Sequence, residues 1–295
     1  MSKLAARHRE PWWVRGGGVI DAAVRWAGLV SISAGLLVLV LLGGQAIFRG
    51  WPRLTWDFFT HFPSRDPAQA GILAAWAGTV WVVVLSATIA VPLGVMAAIY
   101  LEEYGSRRRL SHWLDITVAN LAGVPSIIYG LLGLGLFVRL LGWGRSVAAG
   151  AATLGLLVLP IIILATREAL RAVPSSLREG SYALGATRWQ TTWHQVLPAA
   201  AQGVFTGVIL AVSRAVGETA PLIMIGALTY VAFLPRSVGD PFTVLPIQIF
   251  NWVSRPQQAF AVNAAAGVVV LLTITLLLNG VAIWLRQRAR RKIRW

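Results

Sequence analysis

The sequence predicts an all-α polytopic membrane protein of six transmembrane helices. Three observations predict it. Of 295 residues 57% are hydrophobic and 13% charged, with a mean hydropathy of +0.68, a balance outside that of soluble domains. Six apolar runs each reach the ~20 residues that a spanning helix needs. The basic residues border these runs instead of forming one polar face, so the net charge of +15 reads as a membrane-orientation signal and not as a nucleic-acid footprint.

The runs occupy residues 26–48, 71–101, 116–138, 146–166, 199–226 and 259–285. No cleavable signal pattern precedes the first, which is expected to be retained as a helix. With a cytoplasmic N-terminus, eighteen basic residues fall inside: Lys3, Arg7, Arg9, Arg15, Arg25, Arg107, Arg108, Arg109, Arg167, Arg171, Arg178, Arg188, Arg286, Arg288, Arg290, Arg291, Lys292 and Arg294. Seven fall outside: Arg49, Arg53, Arg65, Arg139, Arg145, Arg236 and Arg255. Both termini are therefore expected in the cytoplasm. The chain divides into a basic segment 1–25, a first helix and outer loop 26–70, a membrane body 71–285 holding a cytoplasmic loop 167–198, and a basic tail 286–295.

The outer loop at 227–258 is unusually apolar, above all FTVLPIQIFNW at 242–252. The readings stay open: it dips into the interface or covers the outer mouth, or it rests at the headgroups as an amphipathic helix anchored by Trp252.

Between the fourth and fifth runs, Ser176 and Glu179 have the spacing of a capping box, in which hydroxyl and carboxylate satisfy each other's free backbone donors. Gly185 supplies a left-handed stop. Thr187 and Gln190 repeat the box, and Pro198 marks the next break. Trp189, Trp193 and Val196 then form an apolar ridge that must pack against a membrane surface or a partner.

The fifth run carries two charges. An ionisable residue at membrane depth costs roughly 2.5–3.5 kcal/mol on insertion scales, so chains seldom keep one without a partner or a pathway to serve. Arg214 and Glu218, four apart, lie one turn above another on a helix. At about 100° per residue they share a sector with Gly203, Gly207 and Ala211, a small-residue face suited to close helix approach. The pair either locks helix packing or meets a passing oxyanion. For the second role a guanidinium offers forked donors and keeps its charge, while the carboxylate competes and keeps binding weak enough for release.

Several classes are excluded or disfavoured. Without cysteine there is no disulfide, Cys-based metal site or thiol nucleophile, and the four histidines are scattered. Lys3 and Lys292, the only lysines, do not follow a glycine and precede Ser or Thr, so no Walker A motif exists. HExxH and GxSxG are absent. A single intramembrane arginine is not a voltage sensor, and Pro92, Pro125, Pro160 and Pro221 do not mark the matched broken halves of a secondary transporter. The chain is expected not to be an enzyme, to hold no metal, and to bind no cofactor or nucleic acid itself.

Glu179, Gly185 six positions later and Leu197-Pro198 resemble the EAA loop of bacterial ABC importer permeases; Gly180 and Ser181 replace the usual alanines, and Gln195 the usual isoleucine. RAVGETAPL at 214–222, NLAGVPSIIYGLLGLGLF at 120–137 and LPIQIFNW at 245–252 are similar to the PstA-type permeases of bacterial phosphate importers. The resemblance covers most of residues 71–285 and implies the type I ABC importer permease fold in the inner membrane. It implies that Glu179, Gly180, Ser181, Leu184, Gly185, Ala186, Leu197 and Pro198 couple the chain to an ATPase. Arg214, Glu218 and, more weakly, Arg167 would line the phosphate path. The implied partners are a homologous PstC-type permease, two ATPase subunits carrying ATP and Mg, an extracytoplasmic phosphate-binding protein, and membrane lipid. Alternatives are another oxyanion (sulfate, molybdate or phosphonate) or a non-transporting scaffold that regulates an ATPase.

Overall fold

A computed structural model describes residues 17–105, 109–227 and 230–290. Lys3, Arg7, Arg9, Arg15, Arg107, Arg108, Arg291, Lys292 and Arg294, all counted towards orientation, lie outside the described residues. The described residues fall into two compact units that divide between Arg49 and Gly50, at the end of the first helix. The first is described as helix α1 (Gly17–Gly50). At about 1.5 Å per residue α1 is long enough to cross a ~30 Å hydrocarbon layer.

In the second unit a short helix α2 (Trp56–Thr60) precedes α3 (Leu73–Ile99), which widens into a π turn at Tyr100–Tyr104. Next come α4 (Arg109–Ala122) and α5 (Ser126–Gly133), the latter continuing as a π turn over Leu134–Leu140. Helix α6 (Val147–Arg171) leads to α7 (Ser175–Ala183) and α8 (Arg188–Thr191). A π turn at Thr192–Val196 then runs straight into α9 (Leu197–Gly217). The unit ends with α10 (Ala220–Ile225), α11 (Leu245–Val253) and α12 (Ala259–Arg290).

Among the described residues, five helices are long and apolar enough to cross a membrane: Asp21–Arg53, Leu73–Tyr104, Val147–Arg171, Arg188–Gly217 and Ala259–Leu285. The count is six only if α4 and α5 together make one span. The run 116–138 is then a bent span, because the two helices meet at 103°. The cause is local. Pro125 caps α5 in an extended conformation (ψ 137°) and pushes Val124 out of helical geometry. The N–H groups of Gly123 and Val124 fold back onto Asn120 O and Leu121 O at 3.0 and 3.1 Å. The Tyr129 hydroxyl then donates to Leu121 O at 2.8 Å and holds the corner.

From Val147 to Ala165 helix α6 is apolar but for Thr153, and none of these residues is exposed, the pattern of a helix enclosed by its neighbours over that stretch. It packs against α3, α5 and α9. Val147, Ala151, Leu154, Val158 and Ile162 are buried and form the middle of the core with Val82, Ala211, Leu222 and Phe242. Pro160 in α6 and Pro92 in α3 stay inside continuous helices, so of the four prolines only Pro125 and Pro221 stand at breaks.

Most of the apolar segment 242–252 is buried against the rest of its unit. Trp252 is 1% exposed and packs on Phe58 with ring centroids 5.9 Å apart, within a cluster that includes Ile72, Leu245 and Phe260. Headgroup anchoring by Trp252 is therefore overturned, since its ring is consumed by the protein interior. The segment is locked to α3: Leu245 N–H donates to Thr79 Oγ1 at 2.9 Å, and the Thr243 carbonyl lies where a Cβ on Gly78 would be. Gly78→Ala should thus cost about 1–3 kcal/mol by overpacking against unyielding backbone. A lowered thermal midpoint of the detergent-solubilised protein checks this, and an unchanged midpoint would contradict the close approach.

Just before this segment, Asp240 accepts from the N–H groups of Arg236 and Ser237 at 2.7 and 2.9 Å and from the Ser237 hydroxyl at 2.8 Å. These donors hold its carboxyl below the usual range. Whatever the closed turn contributes is present above the ordinary carboxylate pKa and is lost as pH falls through the lowered value. The turn matters because Asp240 O and Val238 O receive the first N–H groups of α6, from Val147 and Ala148.

Candidate functional site

Two places gather the residues expected to act: the junction of α9 and α10, and the α7–α8 loop. The fifth apolar run does not continue as one helix to residue 226. Helix α9 stops at Gly217, and Glu218 caps it in an extended conformation (φ −74°, ψ 122°) before α10 begins at Ala220 with Pro221 in its first turn. Proline cannot donate the N–H that a continuing helix would require, and glycine at 217 weakens the last turn. An interrupted backbone at membrane depth is tolerated where it is covered by protein or lines a water-filled cavity.

Arg214 and Glu218 still meet. Arg214 Nε donates to Glu218 Oε1 at 3.0 Å, the two side chains being 56% and 14% exposed. The small-residue face behind them is packed as expected. Cβ atoms on Gly203 and Gly207 would strike Ala169 and Ala165 of α6, and Ala211 is fully buried. Arg214 lies beyond that contact, with its guanidinium open on the surface of this chain and tethered on one side by a carboxylate.

Arg167, by contrast, is 6% exposed. Its guanidinium faces Asp115 of α4 at 2.9 Å and Glu102 of the π turn after α3 at 3.4 Å. Arg171 joins Glu102 at 3.0 Å. Neighbouring Glu103, with a side chain 6% exposed, binds Arg178 of α7 at 2.7 Å. None of these acidic partners was among the expected site residues. The signal was present, since Glu102-Glu103 is an adjacent acidic pair at the end of an apolar run, opposite a basic loop.

In the loop, the first capping box does not form. Pro174 is the N-cap of α7 and makes no side-chain cap. Its preset φ starts the helix two residues early, leaving Ser176 inside the first turn. The other signals hold. Gly185 has φ +84°, its N–H donates to Tyr182 O at 2.9 Å, and Ala186 N–H donates to Ser181 O at 3.2 Å. This is the paired bonding of a Schellman stop. Thr187 and Gln190 form a complete capping box, and Ser181 Oγ lies 2.9 Å from Thr191 Oγ1, joining α7 to α8.

Leu197 is half-buried and Pro198 exposed, both in the first turn of α9. Pro198 does not break the chain. The π turn just before it changes the hydrogen-bond register, so the missing N–H is absorbed without a kinked end. The ridge divides: Val196 is buried, whereas Trp189 and Trp193 stack at 5.4 Å and point outward. With Tyr182 and Leu184, the latter 91% exposed, they leave an apolar face beside the exposed Glu179 and Gly180. Such a face rimmed by polar residues marks an interaction surface.

Residues 90–295 match the family model described as the binding-protein-dependent transport system inner membrane component. The chain is 35% identical over 268 residues to the phosphate transport system permease protein PstA 1 of Mycobacterium tuberculosis (strain ATCC 25618 / H37Rv), covering 90% of this chain and 86% of that one. It is 34% identical over 254 residues to the phosphate transport system permease protein PstA of Haemophilus influenzae (strain ATCC 51907 / DSM 11121 / KW20 / Rd), with 85% and 88% covered. Among solved structures, an amino acid ABC transporter aligns with a TM-score of 0.56 at 18% identity, over 74% of this chain and 93% of that one. The MetNI methionine ABC transporter aligns at 0.54 and 19%, over 74% and 92%. At these identities the two structures speak for the fold alone.

Proposed function

The chain belongs to the binding-protein-dependent transport system inner membrane component family, and on that premise we propose that it is the PstA-type permease subunit of an ATP-driven importer of inorganic phosphate. It works in the bacterial inner membrane with both termini in the cytoplasm. A homologous PstC-type permease completes the pore, two ATPase subunits bind ATP and Mg, and a phosphate-binding protein delivers the anion from outside. This chain holds no ATPase site of its own.

The observation that carries the reading is the Arg214–Glu218 pair at an unwound turn, with the guanidinium open on the chain surface. A partner permease facing that surface closes a passage around it. Phosphate takes the free side of the guanidinium, whose planar fork suits a tetrahedral oxyanion. Glu218 competes for the same donors, so the anion is held briefly and released. Arg167 has both neighbouring carboxylates as partners, so it shapes the path rather than meeting the anion. The apolar face of Tyr182, Leu184, Trp189 and Trp193, with Glu179, Gly180, Ser181, Gly185, Ala186, Leu197 and Pro198 setting its geometry, docks on the ATPase.

Vesicles carrying the co-expressed complex should take up labelled phosphate only with ATP, and excess sulfate should compete little. Competition by sulfate, molybdate or phosphonate would assign a different oxyanion. ATPase binding without any uptake would favour a regulatory scaffold.

A further inference from the structure

Helix α7 is thinly attached to the membrane body. Of its nine residues, only Leu177, Arg178 and Ser181 are even half-buried. Ser181 reaches α8, and Leu177 lies against the apolar cluster of Leu170, Val173 and Val196. Arg178 alone makes a set of directed bonds. Its Nε and NH2 donate to the Glu103 carboxylate at 3.2 and 2.7 Å. Its NH1 and NH2 also donate to Val173 O and Leu170 O, both at 2.9 Å, at the end of α6.

One guanidinium therefore ties three elements: α7, the end of α6, and the π turn of α3. Glu102 and Glu103, adjacent on the π turn, project in different directions, as neighbours on any helix do. Glu102 serves Arg167 and Arg171 of α6, and Glu103 serves Arg178. Forked, charge-assisted bonds are short and directional, unlike the sliding contact of Leu177. Because both charges are largely removed from solvent, separating them costs far more than parting an exposed pair.

We propose that Arg178 and Glu103 form the strut through which displacement of the ATPase-docking loop is delivered to α3 and α6. Both are positioning residues that touch neither the anion nor nucleotide. The inference rests on the permease reading above and adds the internal link that reading lacks.

The test uses the full complex with Arg178→Gln, with the near-isosteric Glu103→Gln, and with both. Each single change should leave assembly and ATP hydrolysis in place while phosphate moved per ATP falls at least about fivefold, the lower end of coupling effects between sites. The double variant should lose no more than the worse single one, because the two groups act on each other. Arg178→Lys should recover part of the loss, and Arg171→Gln, which breaks the pairs with Glu102 and Glu168 and touches no group of α7, should stay within about twofold of wild type. Losses that multiply in the double variant, or a normal ratio in both single variants, would overturn the strut.

A second readout needs no transported ion. The chain has no cysteine, so Tyr100→Cys, on the exposed side of the π turn, gives a single labelling site in this chain, read on its own gel band. Nucleotide should change its reactivity in the otherwise unaltered complex and not with Arg178→Gln. A change that persists in the variant would refute the proposal whether or not phosphate is the substrate. If the unaltered complex takes up no phosphate while this labelling behaves as expected, the substrate assignment fails and the strut stands.

Discussion

Arg214→Gln should reduce ATP-dependent phosphate uptake by roughly two orders of magnitude, within the span reported when one partner of a charged hydrogen-bonded contact is truncated. Membrane insertion and assembly with the partner subunits should remain near wild type. The reasoning starts from position. The Arg214 side chain is 56% exposed and bonds Glu218, so its replacement leaves no cavity in the packed face of Gly207 and Ala211. Glutamine keeps comparable polarity but supplies neither the fixed charge nor the fork, so a tetrahedral anion loses a strong donor there. Uptake by everted or reconstituted vesicles measures the effect, and co-purification of the partners reports assembly. A complex that falls apart would instead make the pair a packing lock. Restoration of uptake in the doubly neutral variant, Arg214→Gln with Glu218→Gln, would show that the charge itself is not needed.

Gly185→Pro should uncouple the transporter while leaving the membrane helices folded. At φ +84° the position sits where L-residues are strained, and proline is confined to about −65°. Proline also lacks the N–H that bonds Tyr182 O, so the stop between α7 and α8 loses its geometry and one of its two bonds. The loop then presents Leu184 and the Trp189–Trp193 stack at the wrong mutual angle for a rigid partner. ATP hydrolysis should no longer respond to the loaded binding protein, and uptake should fall by more than about tenfold, inside the usual span of coupling energies. Spans at Val147–Arg171 and Arg188–Gly217 do not depend on that turn, so the variant should still insert. Normal transport by this variant would remove the loop from the coupling path.

Much of this architecture was legible because the features concerned are local. The Thr187 box, the Gly185 stop and the small-residue face of Gly203 and Gly207 depend on a few neighbouring residues and follow from spacing alone, whereas the partner of that face, α6, does not. The breaks were harder. Pro125 and Pro221 were visible, but Pro92 and Pro160 look the same in a string, and only the neighbours separate them: Gly123 before one, Gly217 before another, and tightly packed helix around the rest. Pro174 displaced the cap expected at Ser176 by the same kind of competition. The apolar stretch at 242–252 had no periodicity that could tell protein interior from headgroup region, since both accept such side chains. Least legible were the ion pairs, because Glu102 and Glu103 find their arginines 65 to 75 residues away. Pairings over that separation are set by helix packing, which a linear pattern does not contain.

The unlike fastenings at the two extremities of α3 have a further mechanical meaning. Near Gly78 it approaches the Thr243 backbone closely and is bonded to Leu245 N–H through Thr79, while some 25 residues away Glu103 holds Arg178 of α7. That separation makes a lever arm of roughly 35–40 Å at about 1.5 Å per residue. With the fulcrum fixed at the apolar extremity, a tilt of only about 5° would sweep the charged extremity through some 3 Å, again by that arm length. On the strut proposed above, the tight glycine contact and the ion pair sit at opposite ends of one arm, and a variant loosened at Gly78 should lose phosphate moved per ATP as one cut at Glu103 does.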